Sequence, residues 1–403
     1  MKQYLDLFLH HRQLLDAQAP AVLNRQRERA AQALMQLGMP TRRDEDYRYT
    51  DVAAALAPDY GFQLGGSATT ALTPDNEHTA ADLYAHLARP EDNALTALNT
   101  LLAQDVLMVS VPAGTKMKRQ VRLFNPQRNA QPLMAHRRIL VIAEPDSHLQ
   151  LILDDKVPSN EKEVKAETLT TTVTEIFVRR GAKVEVYENE QTHTKNHRFS
   201  ELYVHQEGHS SFIHANLTLQ CGLTRNRIHV QLSEPHAETT LLGCTVADGT
   251  QHVDANTLID HSATDCSSHE LYKFVLDGQA EGAFAGRILV RPDAQRTLSD
   301  ETNANLVCTP EAHMWAQPIL EIYADDVRCS HGATVGQLSA DALFYMQQRG
   351  LPPDEARLLL KQAFAADVIS KVPDAPIRER FLHLLEQRFS HQLTNCRECH
   401  RCL

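Results

Sequence analysis

Between about Val106 and Gly336 the sequence carries a succession of short β-strand patterns, and no long amphipathic helix pattern separates them. Representative segments are RRILVIA, HLQLILDD, KVEVYE and SFIHANLTLQ, and several alternate at the two-residue period of a strand. Sheets built from βαβ units need a helix between successive strands, so we exclude that class of fold. The region is also long for a single β-sandwich.

A solenoid of short strands explains this length, because each coil packs only on its neighbours and coils can be added freely. The segments RILVIAEPDS (138–147) and RILVRPDA (287–294) are similar, although no strict period holds across the region. We therefore predict a β-solenoid over residues 106–336, with a β-sandwich as the alternative.

Helical patterns flank this region on both sides. We predict a helical N-terminal domain over residues 1–105, a helical C-terminal domain over residues 337–390 and a cysteine-rich tail over residues 391–403. The C-terminal domain has two apolar stripes at helical spacing, which we expect either to pack within the chain or to dock a partner. The first stripe is Ala356, Leu359, Leu360, Ala363 and Val368; the second is Ile377, Phe381, Leu384, Leu385 and Arg388.

The chain has 403 residues and a formal net charge of -11. This acidic excess argues against nucleic acid or an anionic membrane surface as a partner, since both are bound by clustered Lys and Arg. No apolar run is long enough to span a bilayer, and the N-terminus lacks the features of a signal peptide. We therefore expect a cytoplasmic protein whose eight cysteines are reduced.

Motifs of the common enzyme classes are missing from the sequence. It contains no GxxxxGK[ST], GxSxG, HExxH or GxGxxG segment. We therefore expect a chain that does not hydrolyse nucleotide by itself and that is not an enzyme.

Two groups of residues have the chemistry of metal ligands. The pairs His193/His197 and His205/His209 have a spacing that could place both rings on one face, but no carboxylate pattern accompanies them. The tail NCRECHRCL offers Cys396, Cys399, His400 and Cys402 as a possible metal site, and Cys396 to His400 also matches the CxxCH haem-attachment motif. Haem attachment requires export, for which the sequence has no signal. The alternative is a tail of exposed thiols.

The segment DDVRCSHGATVG, residues 325–336, places Cys329 and His331 two residues apart. On a strand these side chains point to the same face, and we expect Gly332 to end that strand. A neighbouring imidazolium would favour the thiolate that binds metal or sulfur. The local alternative is a Cys329 that packs as a small apolar side chain.

This segment extends into LEIYADDVRCSHGATVGQLSADALFYMQQRGL, which resembles the hallmark segment of the SufB/SufD family of the Suf iron–sulfur cluster assembly machine. FAGRILVRPDAQRTLSDETNANL is also similar to the family, and so is RDEDYRYTDV (43–52), in which Tyr47 stands at the family's Trp position. The length, the N-terminal element and the HGATVG segment resemble the SufD type, and the tail after about residue 390 lies outside the resemblance.

The resemblance implies a right-handed parallel β-helix with helical domains at both ends. It also implies a non-catalytic scaffold that pairs with a SufB-like subunit and a SufC-like ABC ATPase, the ATPase docking around residues 339–385. His331, with Cys329 beside it, would face the SufB-like partner and help to bind iron or the nascent cluster. No cofactor held stably by the isolated chain is expected, only transient iron or an iron–sulfur cluster in the complex. The isolated chain could be a homodimer or a monomer.

Two other functions are alternatives to this one. A SufB-like, sulfur-accepting role predicts a persulfide on Cys308 or Cys329. A β-helix enzyme acting on polysaccharide would need clustered carboxylates on an exposed face, and Asp325/Asp326 is the one close pair near the hallmark segment.

Overall fold

The structure is a computed structural model, which describes residues 2–62, 80–122, 132–156 and 166–390. The helices are α1 (Lys2–Gln18), α2 (Ala21–Leu37), α3 (Val52–Ala55), α4 (Ala94–Leu102), α5 (Ala340–Gln348), α6 (Pro353–Ile369) and α7 (Ala375–Phe389). The strands are β1 (Gly61–Phe62), β2 (Leu107–Val111), β3 (Lys116–Arg122), β4 (Leu133–Ala143), β5 (His148–Lys156), β6 (Thr168–Val178), β7 (Lys183–Gln191), β8 (Asn196–Gln206), β9 (Ser211–Gln220), β10 (Leu223–Leu232), β11 (Glu238–Ala247), β12 (His252–His261), β13 (Ser267–Leu276), β14 (Glu281–Val290), β15 (Leu298–Val307), β16 (His313–Ile322) and β17 (Arg328–Gly336).

The strands form two parallel sheets between which the chain alternates. The first sheet has the order β1-β4-β6-β8-β10-β12-β14-β16, with β2 also paired to β4; the second has the order β3-β5-β7-β9-β11-β13-β15-β17. The result is a parallel β-solenoid of about seven turns. The predicted parallel β-helix with helical flanks is confirmed, and the β-sandwich alternative is wrong.

The coils differ in length, which explains why the sequence shows no strict period. In the first sheet His197 pairs with Leu223, which in turn pairs with His252. Near the C-terminal end Glu281 pairs with His313, and the separation in sequence between these two residues is larger than in either earlier pair. The paired strands remain in register because the additional residues lie in the turns between strands.

The interior of the solenoid is polar at several positions. On β9, Phe212 belongs to the interior apolar cluster. His214 and Asn216, two and four residues further along the strand, point to the same interior side. Arg198 lies among them, fully buried and ion-paired with Glu188 and Asp155. These buried charges are tolerated because they are paired with one another.

The outward face of β9 is the apolar one, and it lies beneath the C-terminal helices. Ala215, Leu217 and Leu219 form one cluster with apolar side chains of α6 and α7. The second predicted stripe is confirmed at Ile377, Phe381, Leu384 and Leu385, which are all buried. The first is wrong in part: Ala356 and Val368 are buried, whereas Leu359 and Ala363 are exposed.

The N-terminal helices cover the outer face of the first sheet, and a buried carboxylate on β6 ties them to it. Glu175 accepts hydrogen bonds from the backbone N–H groups of Ala85 (2.9 Å), Leu87 (2.9 Å) and Ala88 (3.1 Å). It also accepts one from the guanidinium of the fully buried Arg138 at 2.8 Å.

The segment from Glu45 to Thr50 crosses to later coils of the same sheet. The Arg225 guanidinium lies 4.4 Å from the centre of the Tyr47 ring, and Thr50 Oγ1 donates to Asp254 Oδ2 at 2.6 Å. Tyr49 stacks on Trp315 of β16, with ring centres 5.1 Å apart. The N-terminal element singled out in the sequence thus attaches the helical region to the solenoid.

No helix among the described residues is long and apolar enough to cross a membrane. The division into domains at residues 105, 336 and 390 stays a prediction.

Replacing Glu175 with Ala leaves the Arg138 guanidinium buried without its carboxylate. We expect the free energy of unfolding to fall by about 3–5 kcal/mol, as for other broken buried ion pairs. Urea unfolding followed by circular dichroism measures the change. Asp92→Ala, which removes an exposed pair with Arg89, is the control and should cost less than about 1 kcal/mol. Equal losses in the two variants would contradict this account of Glu175.

Candidate functional site

The C-terminal end of the solenoid is formed by β16 and β17, each of which pairs with a strand on one side. Their partners are β14 and β15 respectively, and no strand of the described residues pairs with the opposite edges. Backbone N–H and C=O groups at such an edge are available to another chain. This end, defined by β16 and β17, is called the open end below.

Register decides where the side chains of β17 point. Ser299 pairs with Cys329 and Glu301 pairs with His331, and Ser299 and Glu301 are buried inside the preceding coil. Paired residues of neighbouring strands point to the same side of a sheet. Cys329 and His331 therefore lie on the interior face of the last coil. Because no further coil covers it there, His331 is exposed, and Cys329 is half-buried.

The structure agrees with the prediction that Cys329 and His331 share one face of a strand, but the prediction that Gly332 ends this strand is wrong. The strand that contains LEI ends at Ile322, and a turn carries the chain to the second sheet before β17 begins at Arg328. Gly332 does not end β17, which continues to Gly336, because it pairs with Thr302 in the middle of the ladder.

The Cys329 thiol lies in a mainly apolar environment. It packs against a small cluster formed by Ile288, Val290, Ala294 and Ala324. Burial raises its pKa, so the expected shift toward thiolate by a neighbouring imidazolium does not dominate. The interpretation of Cys329 as a small apolar side chain fits these contacts.

Cys308, the other candidate for carrying sulfur, follows β15 and lines a cleft of about 710 Å³ between the solenoid and the C-terminal helices. Burial raises the pKa of its thiol, against the opposing effect of Lys361. A protonated thiol is a poor nucleophile. Neither Cys308 nor Cys329 therefore has the lowered pKa that is typical of a reactive cysteine.

Exposed apolar side chains surround the open end and continue onto the C-terminal helices. Tyr323 follows β16, Val335 lies on β17, and Phe344 and Tyr345 lie on α5. Their exposed fractions are 62%, 52%, 63% and 60% respectively. A concentration of exposed apolar groups of this size is typical of a surface that binds other proteins.

The remaining candidate ligands do not form a metal site within the described residues. His193 shares a hydrogen bond with Thr168 and precedes β8, on which His197 lies, while the His209 ring stacks on His236. No group of three or more His, Cys, Asp or Glu residues is placed to hold one ion in the described part of the chain. The tail candidates Cys396, Cys399, His400 and Cys402 lie outside the described residues.

The structure also brings Glu270 and Glu301 together, which the sequence alone did not predict. They are paired positions of β13 and β15, both 1% exposed, and they lie directly before His331 in the stack. The signal in the sequence is an acidic residue at an interior position of each strand, which could be recognised only once the register was known.

Two family models match the sequence over nearly the whole of this architecture. Residues 125–364, more than half of the chain, match the model described as SUF system FeS cluster assembly, SufBD core domain. Residues 1–74 and 66–123 match the SufBD protein N-terminal region. The chain belongs to the SufBD family. The core model spans the β-helix from before β4 through most of α6, so the open end lies within it.

Two of the three curated relatives described here match this SufBD protein over most of its length. An iron–sulfur cluster assembly SufBD family protein of Synechocystis sp. is 27% identical, covering 89% of this chain and 90% of the relative. The iron–sulfur cluster assembly protein SufD of Escherichia coli is 25% identical, covering 90% and 92%. A SufBD family protein of Mycobacterium leprae is 34% identical, covering 45% and 47%. The predicted resemblance to the SufB/SufD family is confirmed, and SufD is among the relatives that the chain matches over most of its length.

The raised pKa of Cys329 predicts slow reaction with alkylating agents at neutral pH. We expect iodoacetamide to modify it more slowly than glutathione at pH 7, with a rate that rises through a midpoint above that of glutathione. Peptide mass spectrometry after timed labelling of the folded chain measures the rate at each pH. A midpoint below that of glutathione would mean that the thiolate is stabilised, and would restore the sulfur-accepting interpretation.

Proposed function

We propose that this chain is a non-catalytic, SufD-type scaffold subunit of a Suf iron–sulfur cluster assembly complex. The observation that carries the proposal is the open end, where β17, a strand with one free edge, presents the exposed His331 from the interior face of the last coil. The family match supports iron–sulfur cluster assembly as the process.

The proposed partner at the open end is a SufB-like subunit. The free edges of β16 and β17 can extend a sheet into another chain by backbone hydrogen bonds. The exposed Tyr323 and Val335 beside these edges would be buried by such a contact. A second β-helix with an edge of the same kind is the simplest shape that continues the stack.

The proposed cargo is iron or a nascent iron–sulfur cluster, held transiently between the two subunits. Imidazole is a good ligand for iron, and His331 is exposed at the edge where the partner would lie. Cys329 is two residues from His331 on the same face and would be a second ligand. Its thiol has apolar contacts, so it would lose its proton only on binding the metal. The sulfur-accepting cysteine would then belong to the partner.

The proposed energy source is a SufC-like ABC ATPase docked on the C-terminal helices, around residues 339–385. The sequence has no nucleotide-binding motif of its own. Phe344 and Tyr345 on α5 and Leu359 on α6 are exposed apolar groups suited to such a contact. The cytoplasmic location stays a prediction.

Affinity purification of the tagged chain from its native cells tests the proposal directly. We expect an ABC ATPase and a second β-helix subunit to co-purify in stoichiometric amounts. A chain that elutes alone, or only as a homodimer, at physiological concentrations would contradict the proposed complex.

His331→Ala should abolish cluster assembly without affecting the fold. The side chain is exposed, so the free energy of unfolding should change by less than about 0.5 kcal/mol. Loss of an iron ligand should reduce the rate of cluster formation in the purified complex by about tenfold or more, measured by absorbance and iron content. Ser330→Ala, an exposed neighbour on the opposite face of β17, is the matched control. Assembly at the normal rate by His331→Ala would remove His331 from the site.

Val335→Asp should weaken association at the open end. A carboxylate buried in the interface without a partner should cost about 2 kcal/mol or more, which is roughly a thirtyfold loss of affinity. Isothermal titration with the SufB-like subunit measures the loss. Leu9→Asp, a substitution at another exposed apolar residue, on α1, is the control. Equal affinities for the two variants would exclude β17 from the interface.

A further inference from the structure

Two carboxylates lie one above the other inside the last coils of the solenoid. Glu270 on β13 pairs with Glu301 on β15, and Glu301 pairs with His331 on β17. These three residues, one from each successive coil, form what is called the column below. Both glutamates are 1% exposed. Neighbouring strands are about 4.8 Å apart, so the column brings the two carboxylates close to each other and Glu301 close to the open end.

Neither carboxylate has a cationic partner in the described part of the chain. No Lys, Arg or His of those residues forms an ion pair with Glu270 or Glu301, and Thr257 offers Glu270 only a neutral hydroxyl. Other buried carboxylates of the described residues have a cation beside them: Arg138 pairs with Glu175, and Arg198 lies 3.5 Å from Glu190. Glu270 and Glu301 have no such cation.

Such a pair is unfavourable unless positive charge accompanies it. Burying an ionised carboxylate without compensation costs several kcal/mol, and a second carboxylate beside it increases the cost. Accordingly, burial and the charge of Glu301 raise the pKa of Glu270, while the Thr257 hydroxyl, as a hydrogen-bond donor, acts in the opposite direction. Burial also raises the pKa of Glu301. The pair is neutralised either by protons or by a bound cation.

The fold leaves specific room for the Glu301 carboxylate. A Cβ atom added at Gly286 of β14 would lie 2.6 Å from the carboxylate carbon of Glu301 and 2.6 Å from its Oε1 atom. Any residue other than glycine would therefore push the carboxylate away. The hydroxyl of Tyr272, two residues after Glu270 on the same face of β13, is also buried and without a partner. It adds a neutral oxygen to the same part of the interior.

We propose that Glu270 and Glu301 bind an exchangeable divalent cation of the oxygen-preferring class, such as Fe²⁺ or Mn²⁺, inside the last coils of the solenoid. Carboxylate and hydroxyl oxygens suit these ions, and the two glutamates supply enough negative charge to balance one of them. Since three His, Cys, Asp or Glu ligands do not converge in the described residues, water completes the coordination shell.

The position of this site beside His331 would allow it to supply the bound ion to that residue. An ion held by Glu301 is one strand away from His331, so it can pass to the open end without leaving the column. The identity of the ion as iron, and its transfer to His331, rest on the proposed function. The cation site itself rests on the two buried carboxylates without a cationic partner, the space beside Gly286 and the Tyr272 hydroxyl.

The test is binding of Mn²⁺ to the full-length chain, followed by the loss of the electron paramagnetic resonance signal of the free ion. Mn²⁺ is the probe because thiolates bind it poorly, so the cysteines of the tail do not compete. We expect about one ion per chain, an affinity lowered about tenfold or more in Glu270→Gln and Glu301→Gln, and an unchanged affinity in Asp300→Asn. Asp300 is the matched control, because it is adjacent in sequence but contacts His269 on the outside of the sheet.

Thermal melting shows whether the variants fold. Glutamine has the shape of glutamate without its charge, so both variants should melt at or above the temperature of the unchanged protein. Gly286→Ala is a second variant that displaces the Glu301 carboxylate while leaving its charge, and it should also weaken Mn²⁺ binding. Absence of Mn²⁺ binding by the unchanged protein, or unchanged affinity in both glutamine variants, would overturn the proposal.

His331→Ala separates this site from the proposed function. We expect the variant to bind Mn²⁺ within about threefold of the normal affinity even though its complex fails to assemble clusters. Loss of Mn²⁺ binding in His331→Ala as large as in Glu301→Gln would place the ion on His331 and overturn the two-carboxylate site. Normal cluster assembly by His331→Ala would instead contradict the proposed function and leave the cation site standing.

Discussion

The in-register stacking of parallel strands is the constraint on which the rest of this structure depends. Each residue of a strand lies beside one residue of the preceding coil, so interior side chains form columns along the molecule. Hydrogen bonding between coils stabilises every strand that has two neighbours, but a stack must end. At the C-terminal end β17 has a single partner, and the interior face that is buried in every preceding coil becomes accessible there. The most distinctive chemistry of the chain lies at that place.

The columns also explain an unusual distribution of polarity. The apolar face of β9, with Leu217 and Leu219, points outward and depends on the C-terminal helices for its burial. The opposite face carries His214 and Asn216 into the interior, where Glu188 lies 3.3 Å from the His214 ring and the Thr218 hydroxyl donates to Asn216. The alternation along β9 predicts a strand correctly. It cannot tell which face is inside, because that depends on strands and helices far away in the sequence.

The same limit applies to the candidate site. Cys329 and His331 are two residues apart, so the sequence suffices to place them on one face. Glu301 meets His331 only through the register between β15 and β17. Coil lengths change along the solenoid, as the pairs His197–Leu223 and Glu281–His313 show, so no fixed spacing identifies such neighbours in advance. The family resemblance could indicate the fold and His331, but not the buried carboxylates behind it.

The stacking of Tyr49 on Trp315 gives the protein a built-in spectroscopic probe. Trp315 is the one tryptophan of the chain, and it lies on β16, the last strand of the first sheet, against the N-terminal segment. Its fluorescence emission therefore arises from a single location, where the N-terminal segment contacts the last coil. Unfolding of the last coil, release of the N-terminal segment and contact of another molecule with β16 all change the surroundings of that one indole. Events at this end of the molecule can thus be followed in real time without a label.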